Sequence, residues 1–373
     1  MADYRERLER LQAKMQEDGA GLAVFGATDT MRYLTGWMEQ GHERLIGLFV
    51  PAQGDAAFVV PAMNARQAQT NPAQIASVIG WSDETGWISP VETLLTEWNL
   101  HGKPFTVLID EELLSGHLLK LQMLEPNARF ESANATATAL RQIKTDDEIS
   151  AMDAAGTLID AVCEEIAANL REGDTEEEIQ ERVHSLIKRH STKASFTPLI
   201  CFGENSAHPH HHPGATRLKQ GEIVIIDIGC LWDGYPADIP RTFAFGEPSD
   251  PDAKAVYEIV SQAHWAAREA AKPGTTGAEV DAAARKVIAG AGYGEYFIHR
   301  TGHGIGLSTH EPPDIVASNT NPLEPGMCFS IEPGIYLPER FGVRIENIVT
   351  LTENGVVSLN AEAPRTLRVL SGS

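Results

Sequence analysis

Residues 223–229 read IVIIDIG, and residues 327–334 read MCFSIEPG. Each is an apolar, strand-forming run that leads into a carboxylate, Asp227 in the first and Glu332 in the second. A buried ionised carboxylate is costly unless it is paired or binds a cation. The flanking sequence repeats as well. Residues 218–229 are LKQGEIVIIDIG and 323–334 are LEPGMCFSIEPG, so Leu218 matches Leu323, Gly221 matches Gly326, Gly229 matches Gly334 and Asp227 matches Glu332. Upstream, REGDTEEEI at 171–179 and KPGTTGAEV at 272–280 share a basic-x-Gly-x-Thr-x-x-Glu-Ile/Val pattern. Both copies run helix, Gly-Thr turn, helix, strands, the mark of an internal duplication. Two such units packed about a pseudo-two-fold axis would set the two acids face to face, with a cation between them.

Each copy supplies a second acid. CLWDGYPADIPRTFAF places Asp238 just ahead of a strand-like RTFAF, and IYLPERFGVRIENIVTL places Glu346 inside what reads as one continuous strand. Alternation in that strand points Val343 and Ile345 one way and Arg344 and Glu346 the other. Four converging acids repel one another strongly, and two divalent ions would cancel their charge. Between the acids lies FIHRTGHGIGLSTHEPP, 297–313, with His299, His303 and His310 among glycines. Glycine lets backbone approach a ligand closely, and His303 could complete a set of four carboxylates and one imidazole. Oxygen donors with one nitrogen suit Mn²⁺, Co²⁺ or Zn²⁺. A second histidine run, NSAHPHHHPGATRL at 205–218, carries His208, His210, His211 and His212. It could form an additional metal site; the plainer reading is a stiff polar loop with one useful histidine.

The rest of the chain sets limits. Its 373 residues are enough for two domains. Hydrophobic residues make up 42% and charged residues 22%, as in an ordinary globular protein. No apolar run is long enough to span a membrane, and MADYRERLERLQAKMQEDG reads as a charged amphipathic helix rather than a signal peptide. A net charge of −22 disfavours nucleic acid and anionic membranes as partners. Cys163, Cys201, Cys230 and Cys328 form no CxxC pair, which predicts free thiols and a cytoplasmic protein. Residues 1–142 alternate strands and helices, predicting an α/β domain: a helix at 3–18, strands at 21–25, 44–50, 56–62, 76–81 and 105–111, and helices near 90–99 and 112–122. PAQGD reads as a hairpin loop. A capping box of Thr145 and Glu148 opens a second, α+β domain taken as 143–373.

On these motifs the chain resembles the pita-bread metallopeptidases: prolidase, aminopeptidase P, methionine aminopeptidase and creatinase. IDIG…DIPRTF, HRTGHGIGLSTHE, FSIEPGIY and GVRIENIVTLTENG occur in the family's order across roughly 145–365, and MRYLTGW gives a weaker likeness to the creatinase/prolidase N-terminal domain. The resemblance implies two divalent metal ions, with manganese first and cobalt or zinc as alternatives. Their ligands would be Asp227, Asp238, His303, Glu332 and Glu346, with Asp238 and Glu346 bridging. It implies Glu332 as proton shuttle, His310 as stabiliser of the tetrahedral intermediate, His299 and His210 as substrate contacts, and Arg344 steadying the carboxylates. The expected substrate is a small peptide with proline at its second position, and the expected assembly is a homodimer. An Xaa-Pro dipeptidase is favoured, with aminopeptidase P as the alternative. More remote is a small-metabolite hydrolase or lyase whose pocket would be lined by Trp37 or Trp87. One departure bears on the choice. Some prolidases carry an arginine where this chain has Asp314, so a dipeptide carboxylate would need another cation, with Arg44, Arg32 and Arg340 as candidates.

Overall fold

In the computed structural model, which describes residues 3–371, the apolar runs of the first unit, Met1–Arg141, pair into a single sheet. Its strands are β1 Leu22–Phe25, β2 Gly47–Pro51, β3 Ala57–Pro61, β4 Ser77–Trp81, β5 Thr106–Ile109 and β6 Arg129–Ser132. They lie in the order β4-β3-β2-β1-β5-β6. The PAQGD turn joins β2 to β3 antiparallel, with Phe49 opposite Ala57. Helices α1 Tyr4–Glu17, α2 Asp29–Thr35, α3 Ala65–Ala68, α4 Ile88–Glu97, α5 Ser115–Leu124 and α6 Asn134–Arg141 connect the strands. The helix expected from residue 112 starts at Ser115, because Asp110 first closes a turn: its carbonyl accepts from Leu113 N at 3.0 Å and its Oδ1 from Glu112 N at 3.1 Å. Trp87 packs with Val91, Leu94 and Leu121 in this unit's core and is 4% exposed. Trp37 stands edge-on to Phe58 at 5.1 Å. Trp87 is therefore core filling, not the wall of a small-metabolite pocket.

The second unit, Gln142–Ser373, shows the duplication in its backbone. The first copy comprises α7 Asp146–Ala168, α8 Glu176–Arg189, β7 Leu199–Phe202, β8 Glu222–Ile228, the short pair β9 Leu231–Trp232 and β10 Tyr235–Pro236, and β11 Ile239–Phe245. The second comprises α9 Ala253–Ala270, α10 Gly277–Gly290, β12 Gly302–Gly304, β13 Glu311–Ile315, β14 Cys328–Ile331, β15 Gly334–Leu337, β16 Phe341–Arg344 and β17 Asn347–Thr352, followed by β18 Gly355–Ser358 and β19 Arg368–Leu370. Matching capping boxes start α8 (Thr175, Glu178) and α10 (Thr276, Glu279). Gly173 N donates to Leu218 O at 2.8 Å, and Gly274 N donates to Leu323 O at the same distance. These two glycines sit at φ of 90° and 85°, a left-handed conformation that explains the residue choice in both turns.

Two sheets of this unit carry the acids, ordered β19-β11-β8-β7 and β13-β12-β14-β17-β18. In each, an acid-bearing strand pairs antiparallel with the strand that follows the second acid: β8 with β11, β14 with β17. Helices α7 and α8 cover the first sheet through Ile159, Val162, Ile179 and Val183, and α9 and α10 cover the second through Val256, Val260, Val280 and Ile288. Glu346 is not inside a continuous strand as the pattern suggests. β16 ends at Arg344 and β17 starts at Asn347, and the two strands belong to different sheets. The chain switches partners here, leaving β15 for β14. The alternation survives the switch: Val343 and Ile345 sit in the core, which turns Arg344 and Glu346 the other way.

One buried group ties this fold to pH. His264 on α9 is fully buried, and neither ring nitrogen has a hydrogen-bond partner among the described residues. Burial first, then the charges of Arg268, Arg241 and Arg365, push its pKa down to about 3. Below an unfolded-state value of 6.5 the unfolded chain binds a proton that the folded chain excludes until about 3. Stability therefore falls as pH drops through that window. Urea unfolding of His264→Leu should show a loss between pH 6.5 and 5 that is smaller than the wild-type loss by about 2 kcal/mol. Equal losses would show that His264 does not set the acid limit.

Candidate active site

The four acids come from four backbone positions that the duplication relates in pairs. Asp227 lies on β8 opposite Pro240, and Asp238 directly precedes β11. Glu332 directly follows β14, and Glu346 directly precedes β17. Asp227, Asp238 and Glu346 are buried, as is His303 on β12, and Glu332 is half-buried. His303 Nε2 lies 3.3 Å from Glu332 Oε1 and 3.8 Å from Asp238 Oδ2. Its Nδ1 sits 3.0 Å from Gly304 O, so Nδ1 carries the proton and Nε2 turns a lone pair toward the acids. Burial holds the His303 pKa down to about 4, so the ring is neutral near pH 7.

The electrostatics of this cluster are those of a group of acids that could hold a cation. The pKa of Asp238 is raised well above the usual carboxylate range by burial and by Asp227 and Glu332. That of Glu346 is likewise raised, by burial and then by Asp238, Glu332 and Asp227. Asp227 Oδ1 and Glu346 Oε1 are buried with no hydrogen-bond partner among the described residues, although buried polar atoms are normally paired. Donors to the acids are few: Arg344 Nη2 donates to Asp227 Oδ2, and Ser330 Oγ donates to Glu332 Oε1 at 3.1 Å. Asp238, His303 and His310 place ligand atoms within 4.8 Å of one another, the one such group among the described residues. Orphaned oxygens, suppressed ionisation and a free imidazole lone pair fit divalent cations. The nearby Cys201 thiol is pushed up to about 12, by burial first, and does not compete as a thiolate.

Arg344 starts a chain of contacts that sequence patterning reveals only in part. Its Nη1 donates to Tyr336 OH at 3.0 Å and to Pro209 O at 3.2 Å. The Tyr336 hydroxyl lies 2.9 Å from His299 Nε2, and His299 Nδ1 lies 2.7 Å from Arg300 O. A carbonyl only accepts, so Nδ1 carries the proton and Nε2 accepts from Tyr336. Both ring nitrogens of His299 are thus engaged within the protein. Tyr336 was not singled out in the sequence; its signal is strand alternation in β15, which buries Ile335 in the core and sends Tyr336 the opposite way.

The remaining histidines lie on two corresponding loops. His310, in the β12–β13 connection, is exposed, yet its ring centroid is 4.0 Å from that of His303. Desolvation first, then His303, lowers its pKa to about 4. His210 is exposed on the β7–β8 connection, and its charge reaches His310. The second metal site that the His208–His212 run could have formed is not present among the described residues. Instead Glu176, 0% exposed, captures the loop. It pairs with His211 Nε2 at 2.8 Å and accepts from Phe202 N, Asn205 Nδ2 and Gly214 N. Asp314 pairs with Arg300 Nη1. Arg340, a candidate for the missing cation, is held by Asp250 and Asp252 at 2.6 and 2.7 Å. Arg44 is held by Asp83 and Glu43.

Comparison with known proteins agrees with this geometry. The family model for metallopeptidase family M24 matches residues 150–353, and that for the creatinase/prolidase N-terminal domain matches residues 7–143. A solved prolidase from Thermococcus sibiricus is 34% identical, with a TM-score of 0.93 over 99% of this chain and 100% of its own. The dipeptidase PepE of Mycobacterium ulcerans is 37% identical, with a TM-score of 0.92 over 99% of this chain and 98% of its own. An Xaa-Pro dipeptidase of Lactobacillus delbrueckii subsp. lactis is 36% identical over 358 residues, covering 93% of this chain and 95% of the relative. The M24 model match over more than half of the chain, together with relatives more than a third identical along nearly its whole length, places this chain in metallopeptidase family M24, as a peptidase whose family implies divalent metal ions.

Proposed function

We propose that the protein is an Xaa-Pro dipeptidase that holds two divalent ions, manganese first, through Asp227, Asp238, His303, Glu332 and Glu346. The observation that carries this reading is the buried acceptor cluster, with Asp227 Oδ1 and Glu346 Oε1 left without hydrogen-bond partners among the described residues. When bound, such ions supply Lewis acidity toward the carbonyl and lower the pKa of water. The protein's own groups do the rest. Glu332, half-buried and steadied on Oε1 by Ser330, accepts a proton from the attacking water and passes it to the leaving nitrogen. That nitrogen belongs to proline and has no hydrogen of its own before cleavage. His310, neutral near pH 7, donates a hydrogen bond to the developing oxyanion. Arg344 fixes the orientation of Asp227, and His210, near enough for its charge to act on His310, would contact the substrate.

A dipeptide, unlike a longer peptide, brings its free carboxylate close to the reacting bond. Asp314 does not stand there as a bare negative charge, because Arg300 neutralises it. The Arg300 charge reaches both His303 and His310. Its side chain makes its one hydrogen bond among the described residues through Nη1, which leaves the other edge of the guanidinium for a carboxylate. Dipeptidase names among the close relatives support the same choice. The four buried free cysteines support a cytoplasmic setting, and the homodimer implied by the resemblance belongs to the same proposal.

Chelator-treated protein should be inactive, and Mn²⁺ should restore cleavage of Ala-Pro but not of Ala-Pro-Ala. Preferential cleavage of the tripeptide would make the enzyme an aminopeptidase P, and inactivity on both with metal bound would defeat the proline reading. Glu332→Gln should lower kcat on Ala-Pro by about 100-fold or more, measured at saturating metal; a smaller loss would remove Glu332 from the proton path. Arg300→Gln should raise KM for Ala-Pro by about tenfold with kcat little changed. An unchanged KM would show that the carboxylate is held elsewhere.

A further inference from the structure

Lys144 and Glu311 form an ion pair that neither the metal chemistry nor the fold's apolar packing requires. Their charged atoms are 2.8 Å apart, with side chains 2% and 7% exposed. Taking an ammonium and a carboxylate out of water costs several kcal/mol for each ion, and a well-packed apolar pair is often as stable or more so. The pair is therefore a weak device for stability. What it does supply is a direction for each partner.

Lys144 is fixed before its side chain begins. Its backbone N donates to Gly326 O at 2.9 Å, and its neighbour Ile143 bridges to Met327. It is thus pinned to the turn that leads into β14. Its Nζ reaches Gln142 O at 3.3 Å as well as Glu311. Glu311 follows His310 directly and lies beneath the turn that joins His303 to His310. A Cβ placed on Gly306 would come within 2.2 Å of Glu311 Oε1, and one on Gly304 within 2.3 Å of Glu311 O. The turn closes only because glycine backbone packs against this residue. The His310 ring itself makes no hydrogen bond among the described residues, so its place over His303 is set by the turn that carries it.

We propose that Lys144 is a positioning residue for His310, acting through Glu311 to hold the 304–310 turn in the shape that keeps the imidazole at the reacting carbonyl. The role given to His310 rests on the dipeptidase reading above. The pinning of the turn stands on geometry alone.

The test uses the metal-loaded full chain. Lys144→Met should lower kcat on Ala-Pro by about tenfold or more while KM stays within about twofold, and amide hydrogen exchange should quicken across 304–311 but not in α8. Glu311→Asp keeps both charges and shortens the reach, and should also lower kcat. Lys144→Met/Glu311→Gln removes the uncompensated charge, so its melting temperature should recover relative to Lys144→Met while kcat stays low. The proposal is overturned if kcat recovers together with melting temperature in the double variant. It is equally overturned if Lys144→Met keeps wild-type kcat, or if exchange across 304–311 is unchanged. If the wild type cleaves no Xaa-Pro peptide but Lys144→Met quickens exchange there, the substrate reading falls and the pinning of the turn stands.

Discussion

Mutual repulsion among Asp227, Asp238, Glu332 and Glu346 is the constraint to which the second unit answers. Like charges brought together out of water would move apart or take up protons, and the raised pKa values of Asp238 and Glu346 express that tendency. The backbone around them is clamped. Thr242 Oγ1 donates to Arg344 O at 2.8 Å and accepts from Arg344 N at 3.1 Å. Arg241 Nη1 donates to Glu346 O at 2.6 Å. Ser330 Oγ accepts from His303 N at 2.9 Å while donating to Glu332. The Thr242 and Arg241 bonds tie the first copy to the second beside Glu346, and Ser330 ties two segments of the second copy beside Glu332, so the side chains keep their places against the repulsion.

Duplication explains how four acids meet, and the differences between the copies explain why the centre is not symmetric. The ladders set Phe202 opposite Val224 and Gly304 opposite Phe329, which makes Cys201 the counterpart of His303. A buried thiol with its pKa pushed up to about 12 offers no useful donor, so one copy supplies an imidazole and the other does not. The anchors below the two loops differ as well. Glu176 holds the histidine-rich loop of the first copy, but its counterpart is Gly277, where a Cβ would meet Asp314 O at 2.4 Å. The second copy uses Asp281 instead, whose Oδ1 accepts from Thr301 Oγ1 at 2.7 Å. Each loop is held by a buried acid, but by a different one, and that frees each to carry its own histidines.

The parts of this arrangement that were legible in sequence are those written in local pattern or in repetition. Capping boxes recur because every helix start needs its free amides satisfied. The paired acids stood out because a greasy strand rarely ends in a carboxylate twice in register. Other features depend on residues far apart in the chain and leave no local trace. Glu176 looks like one more surface acid in TEEEI until the fold closes the loop over it. Lys144 meets Glu311 across a separation of 167 residues. The switch of sheets at Ile345 and Glu346 hides inside an unbroken alternation, because the side chains keep alternating while the backbone changes partners. For His299 the position was legible, but the engagement of its Nε2 depends on Tyr336, 37 residues further along the chain.

The net charge of −22 raises a difficulty for the carboxylate of a zwitterionic dipeptide, and distance resolves it. At physiological ionic strength the Debye length is about 8 Å, so the distant surface acids are screened and only charges near the mouth steer the substrate. There, two divalent ions would cancel the four acids, Arg344 would add a positive charge, and Arg300 with Asp314 would add none. The loaded centre is then locally cationic inside an acidic protein. The carboxylate of a dipeptide could be accommodated at such a centre. The same burial that makes the acids costly without cations would, once cations were held, suit a small substrate with one carboxylate to place.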